Sequence, residues 1–355
     1  MHVAVFADID GSFGIWRMRQ CRMGTAEWQY GRHCLTEDIN HVVGGAFDGG
    51  ADRVTVKDTH EIGFNCLIDK LDPRATYVGG HFIKPIFYGD IEQYDLILYV
   101  AIHAASGTED AFFPHTHYGV FSQMLLNGTR VGEMDIYAGY LGEFGIPVGF
   151  ISGEDVAVEQ ALRVLPWAKS VVVDKRKETY TSGEKSRAYL AAGRQELRET
   201  AAQAVQAIND MQPMVMPGPL HFEAEFRSIQ LADRFNTWGF TQQERIVEWD
   251  ADNMKEGFEK LNKLTFFSRR IYSVRRPISF LTRCYYRLKN TYFYPKPNSE
   301  SAELLFLMSL LPGINDQTGS RLGIVRYANS YYARIVESLR DIFPCDINCL
   351  LMENR

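Results

Sequence analysis

Long apolar runs are missing from this 355-residue chain. The densest, AELLFLMSLLP at 302–312, is far shorter than the roughly 20 residues that a helix needs to cross a bilayer. No membrane span is expected, and that run reads as a buried helix. Cysteine is scarce. Cys21, Cys34, Cys66, Cys284, Cys345 and Cys349 form no CxxC pair and no zinc-finger spacing, which excludes a finger domain and a disulfide scaffold. No basic stretch leads into an apolar run and a cleavage site at the start. Reduced thiols and a cytoplasmic setting are therefore the expectation. Positive charge is not in excess either. Lys and Arg total 38 against 44 Asp and Glu, a formal net charge of −6, so the chain as a whole is not built for nucleic acid. Low-complexity segments and internal repeats are also lacking.

What is there alternates. HVAVFAD, RVTVKD, YDLILYVAIH, GIPVGFISG and AKSVVVD read as strands. Between them EDINHVVGGAFDGGA, IYAGYLGEF and EDVAVEQALRVL have helical periodicity. Strand–helix alternation predicts an α/β fold with a mainly parallel sheet flanked by helices. A long amphipathic helix is expected over roughly 183–211, followed by a break at MQPMVMPGP. LHFEAEF and ERIVEWDA alternate as strands, and DNMKEGFEKLNKL has the start signal of an N-capped helix. The chain is divided into a catalytic-type domain at 1–267 and a C-terminal helical extension at 268–355.

In parallel sheets ligands collect at the carboxyl ends of the strands. The first strand ends in VAVFADIDGSFG, with Asp8 and Asp10 one residue apart. Carboxylates at the end of a buried strand are costly unless a cation receives them. Two chemistries fit. A DxDG segment followed by Ser resembles the opening of the haloacid-dehalogenase phosphatases, with ISGEDVAVEQAL as a loose later acidic motif. That reading needs a lysine between the two motifs, for which Lys57 comes too early, and it leaves the histidines unexplained. The second chemistry is metal-assisted amide hydrolysis. Downstream lie His60 in VKDTH, His103 in VAIHAASGT, His115 and His117 in FFPHTHYG, and Glu133 in RVGEMDIYAG. Imidazole and carboxylate suit zinc and related ions, and two ions sharing one bridging carboxylate need about five such ligands.

The order of these motifs resembles the D-aminopeptidases of bacterial dipeptide operons, the M55 metallopeptidases. DIDGSFG at 8–14 stands where that family has DxEGxxG. KDTH at 57–60, AIHA at 101–104, His115-Thr116, NGTRVGEMDIYA at 127–138 and VGFISGED at 148–155 follow in family order. The likeness runs to about residue 267 and includes FEAEF and ERIVEWDADNMKEGF. It implies two zinc ions per subunit, with Asp8 bridging them. Asp10 and His60 would complete one site, and His103 and Glu133 the other, with His115 as the catalytic residue. It also implies a small-molecule or short-peptide substrate and a homo-oligomer. The departure is Asp10, where the family usually has glutamate. Asp58 is a candidate to orient His60, with a turn role as its plainer alternative. His117 is a candidate helper or packing residue. His2, His33, His41, His81 and His221 read as structural or surface residues.

From Arg269 to Lys296 the chain carries arginines, lysines and aromatics without an acidic residue. Phosphate contacts and stacking on RNA would use such a stretch. Packing at an interface or at the site entrance is its more common use. The expected function is thus hydrolysis of an amide bond by a metal-activated water. The alternatives are a specialised small-molecule amidase, a DxDG phosphatase and a nucleic-acid-binding protein acting through the basic segment.

Overall fold

A computed structural model describes residues 1–264 except 24, 62, 64, 79–90, 234 and 236–238. The expected C-terminal helical extension and the basic segment lie outside the described residues.

The chain begins with β1 (His2–Ala7), a short α1 (Met18–Cys21) and a long α2 (Ala26–Asp48). Next come β2 (Arg53–Asp58), β3 (Thr76–Val78) and β4 (Leu96–Ile102). A hairpin follows, β5 (Phe121–Leu126) and β6 (Thr129–Arg130), then α3 (Glu133–Gly142), β7 (Val148–Gly153), α4 (Asp155–Val164) and β8 (Lys169–Val172). The remainder is α5 (Lys177–Thr181), α6 (Glu184–Gln206), β9 (Leu220–Phe226), α7 (Ile229–Ala232), β10 (Thr241–Gln243), β11 (Ile246–Ala251) and α8 (Met254–Leu264).

Six strands form a parallel sheet in the order β3-β2-β1-β4-β7-β8. The expected parallel sheet is present, and HVAVFAD, RVTVKD, YDLILYVAIH, GIPVGFISG and AKSVVVD all contribute strands to it. Its central strands β1, β4 and β7 are buried along their whole length because both faces are covered. Helix α2 lies against β1, β2 and β4, and α6 lies against β7, β8 and α2. At Gly45 a Cβ would come 2.1 Å from the Arg198 carbonyl, so glycine there permits the close crossing of α2 and α6. Ala4, Phe6, Ile97 and Tyr99 point to the opposite face, into the core built with α3, α4 and α8.

A second, antiparallel sheet has the order β10-β11-β9-β5-β6. LHFEAEF behaves as its alternation predicts: Leu220, Phe222, Ala224 and Phe226 are buried and the residues between them are partly exposed. Phe222 stacks on Trp249 of β11, with ring centroids 5.1 Å apart.

Three local outcomes differ from the sequence expectation. Helix α2 starts at Ala26 rather than near Glu37, because Thr25 caps it by accepting from Trp28 N at 3.1 Å. The hairpin β5–β6 arises where no strand is expected. Its turn is Asn127-Gly128, both at positive φ, the chemistry that a two-residue hairpin favours. The long helix stops at Gln206. The last helix forms as read, with Asn253 Oδ1 accepting from Glu256 N at 3.0 Å.

Sheet order positions the site. From β1 the chain moves outward to β2 and β3, then returns to the other side of β1 as β4 and proceeds to β7 and β8. The connections leaving β1 and β4 therefore run in opposite directions and open a crevice at their carboxyl ends. The turn after β1 closes directly onto β4. Gly11 N donates to Ala101 O at 2.9 Å, and a Cβ on Gly11 would meet the Ile102 carbonyl at 2.3 Å. Ala101 itself sits at φ +64, where the β4–β7 register shifts. Backbone held in this sparsely used region clusters at functional sites.

Buried Asp38 of α2 fixes the same turn from below. It accepts from Phe13 N at 2.7 Å and from Arg194 Nε at 3.0 Å. Burial pushes its pKa up to about 6 even with Arg194 beside it. A carboxyl raised in the folded state stabilises fully below its unfolded value of about 4, and that contribution is lost as pH rises through 6. Wild type should lose up to about 3 kcal/mol from this group over that window. Urea denaturation at several pH values should show a flatter profile for Asp38→Asn. Parallel profiles would show that Asp38 titrates normally.

Candidate metal centre

Five segments deliver polar side chains to the crevice. Asp8 and Asp10 follow β1, and His60 follows β2. His103 follows β4, and His115 lies on the connection from β4 to β5. Glu133 is the first residue of α3. Asp8, Asp10, His60 and His103 are buried and Glu133 nearly so.

Asp8 stands between two histidines. Its Oδ1 is 2.8 Å from His60 Nδ1, and its Oδ2 is 3.4 Å from His103 Nε2. His103 Nε2 is also 3.3 Å from Glu133 Oε1. Asp10 Oδ2 lies 3.8 Å from His60 Nδ1 and 3.9 Å from His115 Nε2. Ligand-type atoms thus fall into three overlapping triads, each with its atoms within 4.8 Å of one another. They are Asp8–Asp10–His60, Asp8–His103–Glu133 and Asp10–His103–His115. Asp8 is shared by the first two.

The electrostatics say what is needed there. Burial opposes the charge on Asp8, but His60 and His103 hold it well below the usual carboxylate range. Burial likewise opposes Glu133, which His103 brings down to about 2. Burial disfavours the charged forms of His60 and His103 too, and the carboxylates reverse this and raise both. In the metal-free chain, protons on two imidazoles supply the positive charge. Metal binding releases such protons, since ligating histidine is neutral. Asp10 supplies the test of fit. It is fully buried, and neither carboxylate oxygen makes a hydrogen bond among the described residues; the imidazole nitrogens of His60 and His115 come no nearer than 3.8 Å. A buried carboxylate without hydrogen bonds is costly. A dication held by Asp8, Asp10 and His60 would remove that cost, and the donor set of carboxylate and imidazole suits zinc.

His115 differs from the other two histidines. Burial and the neighbouring His103 lower its pKa. Its ring stacks on that of His103, centroids 3.7 Å apart and 9° from parallel. Its Nδ1 is 3.0 Å from the Phe113 carbonyl, so Nδ1–H donates there. A neutral ring held this way leaves Nε2 as the proton-accepting atom, facing Asp10.

The supporting residues are specific. His60 Nε2–H donates to the Cys21 carbonyl at 3.0 Å, which turns Nδ1 toward Asp8. Asp58 acts on the loop rather than on the imidazole. Its carboxylate accepts from His60 N at 3.3 Å and Cys66 N at 3.0 Å, and from both the main-chain and side-chain nitrogens of Asn65. Arg32 closes that loop from the other side through the Asn65 and Cys66 carbonyls. His117, at φ +60, donates its main-chain N–H to Glu133 Oε1 at 2.8 Å. The His117 ring packs on Tyr137 and Phe258.

Sequence reasoning missed Glu154, Asn65 and Lys175. Glu154 and Lys175 both follow sheet strands, β7 and β8, and a strand-end rule applied evenly would have flagged them. Asn65 has no such signal. Lys57, the lysine weighed for a phosphatase, is buried with its ammonium 5.5 Å over the Phe6 ring.

The chain belongs to the M55 peptidases: the family model Peptidase_M55, described as D-aminopeptidase, matches residues 1–263. It is 26% identical over 276 residues to the D-aminopeptidase of Bacillus subtilis (strain 168), across 76% of this chain and 98% of that one. A solved structure titled Zn-dependent D-aminopeptidase DppA from Bacillus subtilis, a self-compartmentalizing protease, superposes with a TM-score of 0.67 at 22% identity. That match covers 75% of this chain and 97% of the other, a likeness of fold. Among the described residues no helix is long and apolar enough to cross a membrane.

Glu154 yields a prediction. It is buried, and its carboxylate accepts from Ala104 N at 3.1 Å and Phe112 N at 2.6 Å. It thereby ties the exit of β4 to the loop that carries His115. Glu154→Ala leaves two N–H groups without this acceptor and should cost about 3 kcal/mol. Urea denaturation would measure it, and unchanged stability would show that both groups find other acceptors.

Proposed function

We propose that this member of the M55 peptidases is a zinc-dependent aminopeptidase that removes an N-terminal D-amino acid from short peptides. The observation that carries the reading is the buried carboxylate of Asp10, without a hydrogen bond among the described residues, beside Asp8, His60, His103 and Glu133 at the sheet's switch point. Asp8 would bridge two ions. Asp10 and His60 would complete one site, and His103 and Glu133 the other. Bound zinc supplies Lewis-acid polarisation of the scissile carbonyl and a water acidic enough to attack at neutral pH.

The chain's own residues do the rest. His115, its Nδ1–H engaged by Phe113, presents Nε2 to the reacting amide. There it accepts a proton in one step and returns it to the leaving amine in the next. The stack on His103 fixes the ring plane, so Nε2 is placed before substrate arrives. Glu154 and the main-chain contact of His117 keep the His115 loop and Glu133 in register.

The domain reading keeps 1–267 as the hydrolase and 268–355 as an extension. A self-compartmentalizing relative supports a homo-oligomer, in which the extension would serve assembly or the site entrance rather than nucleic acid. The free thiols Cys21, Cys34 and Cys66, all buried, support a reducing, cytoplasmic setting.

The function is tested with dipeptides and amides of D- and L-alanine beside an aryl phosphate. Turnover of the D-substrates should be abolished by a chelator and restored by zinc. Turnover of the phosphate alone would overturn the reading. Elemental analysis should find about two ions per chain, as two-metal chemistry requires. His60→Ala and His103→Ala should lower that content. His115→Ala should retain the metal and its stability while turnover falls by a factor of about 10² to 10⁴. Loss of metal in His115→Ala would make His115 a ligand instead, through the Asp10–His103–His115 triad.

A further inference from the structure

The turn from Asp10 to Ile15 carries the shortened carboxylate of this centre, and its amide groups are secured on two sides. Gly11 N is held by Ala101 O and Phe13 N by Asp38. The carbonyls facing the other way reach Lys175. Its ammonium donates to Ser12 O at 2.8 Å and lies 3.4 Å from Ile15 O. Lys175 follows β8, three strands away from β1 in the sheet order, and meets the turn after β1 where that turn leans over β4. Its Nζ also lies 5.4 Å from the centroid of the Phe112 ring. Phe112 is the residue whose N–H Glu154 receives, three positions before His115.

One side chain therefore touches both the Asp10 turn and the His115 loop. We propose that Lys175 is a positioning residue that locks the Asp10 turn, and with it the Asp10 carboxylate, onto the His115 loop. The proposal rests on the reading of Asp10 as a metal ligand. Aspartate is one methylene shorter than glutamate, so its reach is set by the backbone, and an error in the turn cannot be absorbed by an extra side-chain torsion. A lysine suits the role because an ammonium can donate to two carbonyls at once while its charge faces an aromatic ring. The site's own charge favours it as well. Burial lowers its pKa to about 8, and the nearby Cys21, Glu154, Asp10 and Asp38 act against that shift.

The consequence is asymmetric. Asp10 belongs to the triads with Asp8 and His60 and with His103 and His115, whereas the Asp8–His103–Glu133 triad does not include it. Loss of Lys175 should weaken one ion and spare the other. The full chain is prepared as wild type, Lys175→Met and Lys175→Arg, and zinc affinity is read by calorimetry against a competing chelator. Hydrogen exchange over residues 11–16 is followed in the metal-free proteins. Lys175→Met should bind one zinc as wild type does and the second about 10- to 100-fold more weakly, the usual cost of losing a residue that orients a ligand. Lys175→Arg, which keeps the charge and the donors, should recover part of that loss. Exchange at 11–16 should quicken in Lys175→Met alone.

Unchanged affinity for both ions would overturn the proposal. So would equal weakening of both together with a lower melting temperature, since Lys175 would then only support the fold. A wild type that takes up fewer than two ions would overturn the reading of the metal centre instead. In that case the exchange data alone decide for Lys175: faster exchange in Lys175→Met supports the lock, and unchanged exchange removes it.

Discussion

Three carboxylates, Asp8, Asp10 and Glu133, are brought out of water at one end of the sheet. Like charges at about 4 Å repel by about 4 kcal/mol even at an effective dielectric of 20. Desolvation adds to that for each group. The carboxylates raise the pKa of His60 and His103 against burial, Asp10 and Asp8 acting on His60 and Glu133 and Asp8 on His103, and Asp10 makes no hydrogen bond among the described residues. The arrangement is therefore incomplete without cations. Much of the surrounding structure acts to hold these groups together against their repulsion.

Topology makes the assembly practicable. β1 and β4 are neighbours whose outgoing connections diverge, so the crevice between them exists before any side chain is considered. The turn after β1 then approaches β4 closely enough that only glycine fits at position 11. The positive φ of Ala101 lies at the same point. The site sits where the backbone is tightly constrained, and this places short side chains accurately.

Each ligand-type residue has its own support. The loop after β2 is fastened by Asp58, Asn65 and Arg32, and His60 is aimed by the Cys21 carbonyl. The loop carrying His115 is fastened by Glu154, and the Asp10 turn by Asp38 and Lys175. These supports are largely charge-assisted hydrogen bonds to main chain. Such bonds are strong when buried and fix atoms without adding bulk near the reacting groups.

The sequence by itself determined the strands of the parallel sheet, because apolar runs punctuated by helical periodicity leave few other folds. It also pointed to the ligand-type residues: Asp8, Asp10, His60 and His103 follow strands, where buried polar groups are costly to place without a purpose, and Glu133 and His115 stand in motifs whose order resembles the M55 family. Asp8, Asp10, His60, His103, His115 and Glu133 do converge. Local pattern did not carry the start of α2, which rests on the Thr25 cap. Nor did it lead us to the β5–β6 hairpin, although Asn127-Gly128 is a recognisable turn signal. Tertiary structure alone decided the roles. Asp58 accepts from main-chain N–H groups of the loop after β2, and His117 meets Glu133 through its main-chain N–H. Asn65, Glu154 and Lys175 became relevant only once distant segments met. Those roles depend on which way a side chain faces and which main-chain group lies opposite it, and both follow from the crossing of strands 40 to 160 residues apart, as in the contacts of Tyr99 with Thr59 and Lys175 with Ile15.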